Sequence, residues 1–162
     1  MAQTRGRLML YLLLKSLHIL SVVLFLGNII TGVFWKVHAD RTGDLRARAQ
    51  ALDGIIKSDR IFTTPNVFII ILTGVGTAYA AGIPILSTSW ILWSIILFGI
   101  SGAAFAFVAP LQKKLLANTQ AGIAGGWDQA GYEKLSRRWT VWGTVATGAP
   151  LVAVFLMVIK PV

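Results

Sequence analysis

From one end to the other, the chain alternates four times between a long apolar run and a shorter polar or mixed stretch. Apolar residues dominate 8–35, 65–83, 90–110 and 139–159, and each run approaches or exceeds the roughly 20 residues that cross a hydrocarbon core. Inside a bilayer the backbone has no water to bond, so runs of this length form helices. The pattern predicts an all-α fold: one domain over residues 1–162, a four-helix transmembrane bundle of a multi-pass cell-membrane protein. At about 1.5 Å per residue the first run outreaches a ~30 Å core, so it tilts or protrudes. A cleaved leader would also place Arg5 and Arg7 before an apolar stretch, with Val37-His38-Ala39 as a cleavage site. The run is too long for a leader's apolar segment, and a retained span is expected.

The stretches between the runs are unequal. In the first, TGD at 42–44 precedes Leu45, Ala49, Leu52 and Ile56 at helical spacing, with Arg46, Arg48, Asp53 and Lys57 around the rest of the wheel. Asp44 is placed to cap this helix. An amphipathic helix lying on the membrane surface is expected, although a helix packed on the other long loop would show the same stripe. FTTPN then opens the second span, with Thr64 as its cap and Pro65 at the first helical position. Pro84 marks a tight link between the second and third spans. AGIAGG at 121–126 supplies turn material and no phosphate-binding pattern.

Composition supports the membrane reading: 56% of residues are hydrophobic and 13% charged, and the mean hydropathy is +0.72. Cysteine is absent, which excludes disulfides and thiolate chemistry. A net charge of +9 could suggest nucleic acid. The basic residues, however, fall between apolar runs, a pattern that faces anionic headgroups and predicts no nucleic-acid partner. Leaving Lys15 aside, residues 36–61 and 111–138 together hold 11 Lys and Arg, against three in the tails and the short link. That asymmetry predicts cytoplasmic long loops and both termini outside.

Within the spans, Gly74, Ala78 and Gly82, Gly99 and Ala103, and Thr144 and Gly148 recur at close-packing spacing, which a compact bundle or a self-association face would use. Pro150 removes a backbone bond from the fourth span and either kinks it or frees a carbonyl. Trp35, Trp139 and Trp142 mark one membrane boundary, and Tyr79, Trp90 and Trp93 the other. All six acids lie in the two long loops, so a carboxylate relay within the membrane is disfavoured. No GxSxG elbow or hydrolytic triad is present, and no catalytic residue can be named.

Chemistry therefore concentrates in the first span. Tyr11, Lys15, His18, Ser21, Phe25, Asn28 and Gly32 share one broad face that should point into the bundle. Lys15 can snorkel to the outer interface. His18 is either a structural histidine bonded to Ser94 or Ser101 or a ligand to haem or a metal. His38 lies about 30 Å further along the helix, too far to share a cofactor with it.

LLLKSLHIL, FWKVHADRTGD, DRIFTTP, SWILWS, YEKLSRRW and VIKPV together resemble a bacterial family of integral membrane proteins of unknown function, across nearly the whole chain. That resemblance implies the bacterial inner membrane. More distantly, the K-x-L-H opening and the KP tail resemble the HemJ-type protoporphyrinogen oxidases and the membrane domain of the copper-resistance protein CopD. In the HemJ-type family a histidine matching His18 is implicated in haem binding with a lysine of the third helix, and Ser94 stands at that lysine's position here. The first expectation is a haem- or metal-binding redox protein using His18; the first and third helices start on the same side, which puts His18 and Lys15 at the depth of Ser94 and predicts one polar cavity bordered by all three. The other expectation is a non-catalytic component that assembles with itself or a membrane partner through its basic loops and small-residue faces.

Overall fold

The computed structural model describes residues 2–161, with side chains from Arg5 to Pro161, and is helical almost throughout. Its elements are α1 (Ala2–Thr42), α2 (Leu45–Ser58), a π-helical turn (Asp59–Thr63), α3 (Thr64–Ala81), α4 (Ser89–Ile123) and α5 (Gln129–Ile159). Four helices are long and apolar enough to cross a membrane, α2, the π turn and α3 counting as one. The protein is an all-α four-helix membrane bundle.

The helices extend well beyond the apolar runs. At 41 residues, α1 is about 60 Å long, roughly twice a hydrocarbon core. α1 passes its apolar run at both ends, and α4 and α5 pass theirs at the end where the basic residues cluster, called here the basic end. What the sequence suggests is a first loop is thus almost entirely helix, broken by a bend at Gly43 and Asp44. Gly43 takes a positive φ of 72°, which a residue without Cβ adopts at little cost. Asp44 caps α2 as expected, its carboxylate accepting from the Arg46 N–H at 2.8 Å.

α2 corrects the expectation of a helix on the lipid surface. It packs against α4 and α1, and Leu52 is 1% exposed within the main core cluster. The stripe exists, but its occluded side centres on Leu52 and Ile55 and faces protein. Geometry explains this: α1 and α4 project far enough past the membrane to offer α2 an apolar wall. Thr64 does not cap α3 either, because the helix does not stop there. Its hydroxyl donates backwards to the Asp59 carbonyl at 3.1 Å, and the wider π turn takes up Pro65, which has no N–H to give.

Buried positions on α5 recur every seven residues: Tyr132, Trp139, Ala146 and Ala153, with Gly143 and Pro150 between them. Facing them, α4 buries Ser94, Ser101, Val108 and Leu115 at the same interval. This is the seam of an antiparallel coiled-coil pair. α1 and α3 form the second pair, and the two pairs meet through α2 on α4 and α1 on α5. Among the described residues, α3 packs along α1 and on neither α4 nor α5. Pro150 leaves α5 continuous and frees the Ala146 carbonyl, which the Ser101 hydroxyl then bonds at 2.6 Å.

Candidate functional site

Polar side chains occupy three levels of the bundle. The level farthest from the basic end contains His18. Its Nδ1 lies 3.0 Å from the Ile70 carbonyl and 3.2 Å from Thr73 Oγ1; a carbonyl only accepts, so Nδ1 carries the proton and Nε2 the lone pair. The ring seats over Gly74, where an added Cβ would stand 3.0 Å from Cε1. Gly74 thus acts in close packing, as its spacing predicts, whereas Gly99, Ala103 and Thr144 are exposed.

Lys15 and Ser94 do not join this histidine. Lys15 is exposed, with Nζ 5.5 Å from the ring of Tyr11 on the same helix. Ser94 is buried in the other pair, where it donates to its own turn at Trp90 O, 2.7 Å away, and lies 3.4 Å from Ala153 O on α5. The cavity expected to be shared by His18, Lys15 and Ser94 therefore does not form, because His18 faces α3 and Ser94 faces α5. Nor does His18 bond Ser94 or Ser101; its partners come from α3. Among the described residues there is no group of three or more His, Asp or Glu able to hold a metal, and the three side chains do not make a haem-binding set.

The middle level is one the sequence does not disclose. Asp59, 9% exposed, accepts from Asn28 Nδ2 at 3.1 Å, Thr63 Oγ1 at 2.8 Å and Gln112 Nε2 at 3.0 Å. Asn28 lies seven residues inside the end of its apolar run, about 10 Å in. Asp59 is therefore held in the turn that opens the second span, between Asn28 within one apolar run and Gln112 just past the end of another, and not in a free loop. Beside it is a narrow cavity of about 30 Å³ bordered by Trp139 and Thr147. Trp139 Nε1 and Thr147 Oγ1 are both buried without a hydrogen-bond partner among the described residues.

The third level lies at the basic end. Lys36, 3% exposed, pairs with Asp40 at 2.7 Å, bonds Ser136 Oγ and sits 5.1 Å over the Trp139 ring. Trp139 is accordingly a buried platform, not a lipid-facing anchor. The Tyr132 hydroxyl donates to Asp40 Oδ1 at 2.5 Å. Burial first, then Asp40, pushes this phenol above its ordinary range, against the smaller pull of Arg48, so it remains a donor. Arg48 donates to the Asp40 carbonyl at 2.8 Å and lies over the rings of Trp127 and Tyr132, at 5.7 and 5.3 Å. Asp40, Arg48, Trp127, Tyr132 and Ser136 border an open cleft of about 710 Å³.

In sequence the third level registers only as a basic loop, since the pairs within it are up to 100 residues apart. The seven-residue recurrence of Tyr132, Trp139 and Ala146 could have placed one wall of it. No curated protein and no solved structure matches the chain. The family model described as "Predicted integral membrane protein (DUF2269)" matches residues 12–161, nearly the whole bundle, and the chain belongs to that family.

Proposed function

We propose that this protein is a non-catalytic membrane component, a rigid four-helix unit whose basic end faces the cytoplasm and serves for assembly. One observation carries the reading: at each level of the bundle a polar side chain fastens one helix to another. His18 ties α1 to α3, Ser101 ties α4 to α5, Asp59 gathers α1, the π turn and α4, and Lys36 ties α1 to α5. Polar bonds of this kind hold membrane helices in one register. The orientation rests on 11 basic residues at one end against three at the other. Reporter fusions at residues 48 and 125 should register the cytoplasm and one after Val162 the outside; a cytoplasmic signal from the last would reverse it.

A haem-bound reading keeps one point of support. An imidazole that donates Nδ1–H to a carbonyl and leaves Nε2 free has the tautomer of an axial ligand, and His18 has it. The second ligand would then come from outside the three candidates. Protein purified after haem-replete expression decides between the two. We expect no Soret band, and a band abolished by His18→Ala but not by His38→Ala would overturn the non-catalytic reading.

A further inference from the structure

We propose that the cleft at the basic end binds a phosphate ester, with Arg48 and Arg137 as the anion-recognising pair. The inference goes beyond assembly, and it starts from how the charges around the cleft are spent. Asp40 and Lys36 neutralise each other, and Asp40 is further occupied by the Tyr132 hydroxyl. Glu133 accepts from Gln129 at 2.9 Å. The two acids that border the cleft are thereby engaged.

Of its two arginines, Arg137 is not, and Arg48 is only partly spent. Arg137 borders the cleft, is exposed, and forms no ion pair among the described residues. Arg48 spends Nη2 on the Asp40 carbonyl and turns Nε towards Asp40 Oδ1, 3.8 Å away, which leaves Nη1. Donors left free on a guanidinium suit a tetrahedral oxyanion, which accepts two parallel N–H bonds.

Arg48 is also fixed before any ligand arrives. It lies against both Trp127 and Tyr132, whose rings are themselves 5.3 Å apart. Trp127 in turn seats against Gly122, where a Cβ would come within 2.6 Å of its ring. A guanidinium held this way loses little freedom on binding. At about 710 Å³ the cleft falls within the size range of small-molecule sites. Ser136 and Arg137 come within one helical turn of Trp139, at the end of the apolar run, so the floor of the cleft lies at headgroup depth. The phosphate ester can thus arrive on a phospholipid or in solution.

The test uses the full-length protein in nanodiscs of neutral phosphatidylcholine. In one arm a fifth of the lipid is replaced by phosphatidic acid, and the lipid retained is measured by native mass spectrometry. In the other, glycerol 3-phosphate is titrated in from solution and binding is followed by the shift in thermal unfolding. Loss of charge-assisted bonds predicts that Arg137→Gln weakens binding about ten- to a hundredfold. Arg48→Lys, which keeps the charge and loses the fork, should weaken it too. Arg137 makes no hydrogen bond within the bundle among the described residues, so its variant is expected to fold. Retention confined to phosphatidic acid assigns a lipid headgroup, and a shift with glycerol 3-phosphate assigns a soluble ester; either one supports the site. No binding in both arms, or binding equal in wild type and folded Arg137→Gln, overturns it.

Discussion

Gly74→Ala tests the tightest contact between α1 and α3. The new methyl carbon would stand 3.0 Å from His18 Cε1 and 3.3 Å from Nδ1, inside the roughly 3.5–4.0 Å of a relaxed carbon contact. Relief needs the ring to retreat by about half an ångström. Retreat would stretch the 3.0 Å bond to Ile70 O towards about 3.5 Å, the edge of useful geometry. Overpacking of this kind costs about 1–3 kcal/mol. Alanine is favoured over glycine within a helix by about 1 kcal/mol, so the net loss is about 0–2 kcal/mol. With His18→Ala the ring is gone, and the same glycine substitution should instead stabilise by up to about 1 kcal/mol. Unfolding free energies of wild type, both single variants and the double variant, measured in bicelles by steric trapping, close the cycle. A coupling of about 1–3 kcal/mol is expected. Gly74→Ala acting with the same sign and size in both backgrounds would refute the seating of His18 on Gly74.

Three further outcomes follow from the packing. Leu52→Ala should cost about 2–5 kcal/mol as a core truncation; a cost near zero would return α2 to the lipid surface. Ser101→Ala should cost about 1 kcal/mol, because the Ala146 carbonyl then has no donor. That cost should shrink in a Pro150→Ala background, where a backbone N–H returns at residue 150, and an undiminished cost would separate the serine from the proline. Asp59→Ala should destabilise by at least about 1–3 kcal/mol, since three donors lose their acceptor. Asp59→Asn should cost less, because the amides of Asn28 and Gln112 can turn over and pair again; equal losses would show that the charge and not the bonding matters.

The inward face of α1 was readable in the sequence. Ser21 and Phe25 are buried, and Tyr11, His18, Asn28 and Gly32 are half-buried, as their helical spacing implies. Lys15, on the same face by spacing alone, turns out to be exposed; its long stem lets the amine leave the bundle. The four spans, the Asp44 cap and the carbonyl freed by Pro150 were also legible, because each depends on residues within a few positions of one another. Partner choice was not. Asn28 and Asp59 are 31 residues apart and Gln112 is 53 from Asp59, and helical periodicity carries no information on which faces meet. The α4–α5 seam was obscured for a different reason. In an apolar span hydrophobicity is high all round, and the inside is marked by small and polar residues such as Ser94, Ser101, Gly143 and Ala146.

The placement of the polar bonds also determines how the two helix pairs are joined. His18 with Ile70 lies within the α1–α3 pair, and Ser101 with Ala146 lies within the α4–α5 pair. Bonds that cross between the pairs lie at Asp59, through Gln112, and at the Lys36–Asp40 ion pair, through Ser136 and Tyr132. Both lie towards the basic end, where α2 adds its buried Leu52 and Ile55. In a bilayer, apolar side chains gain little by leaving lipid for one another, so directional bonds and close packing must supply much of the association energy. Polar docking of one pair on the other therefore resides in the basic half, with Phe25 against Phe98 joining the pairs nearer the middle, while polar bonds in the opposite half stay within each pair. Asp59→Ala should accordingly loosen the contact between pairs, and Ser101→Ala should loosen only the α4–α5 pair.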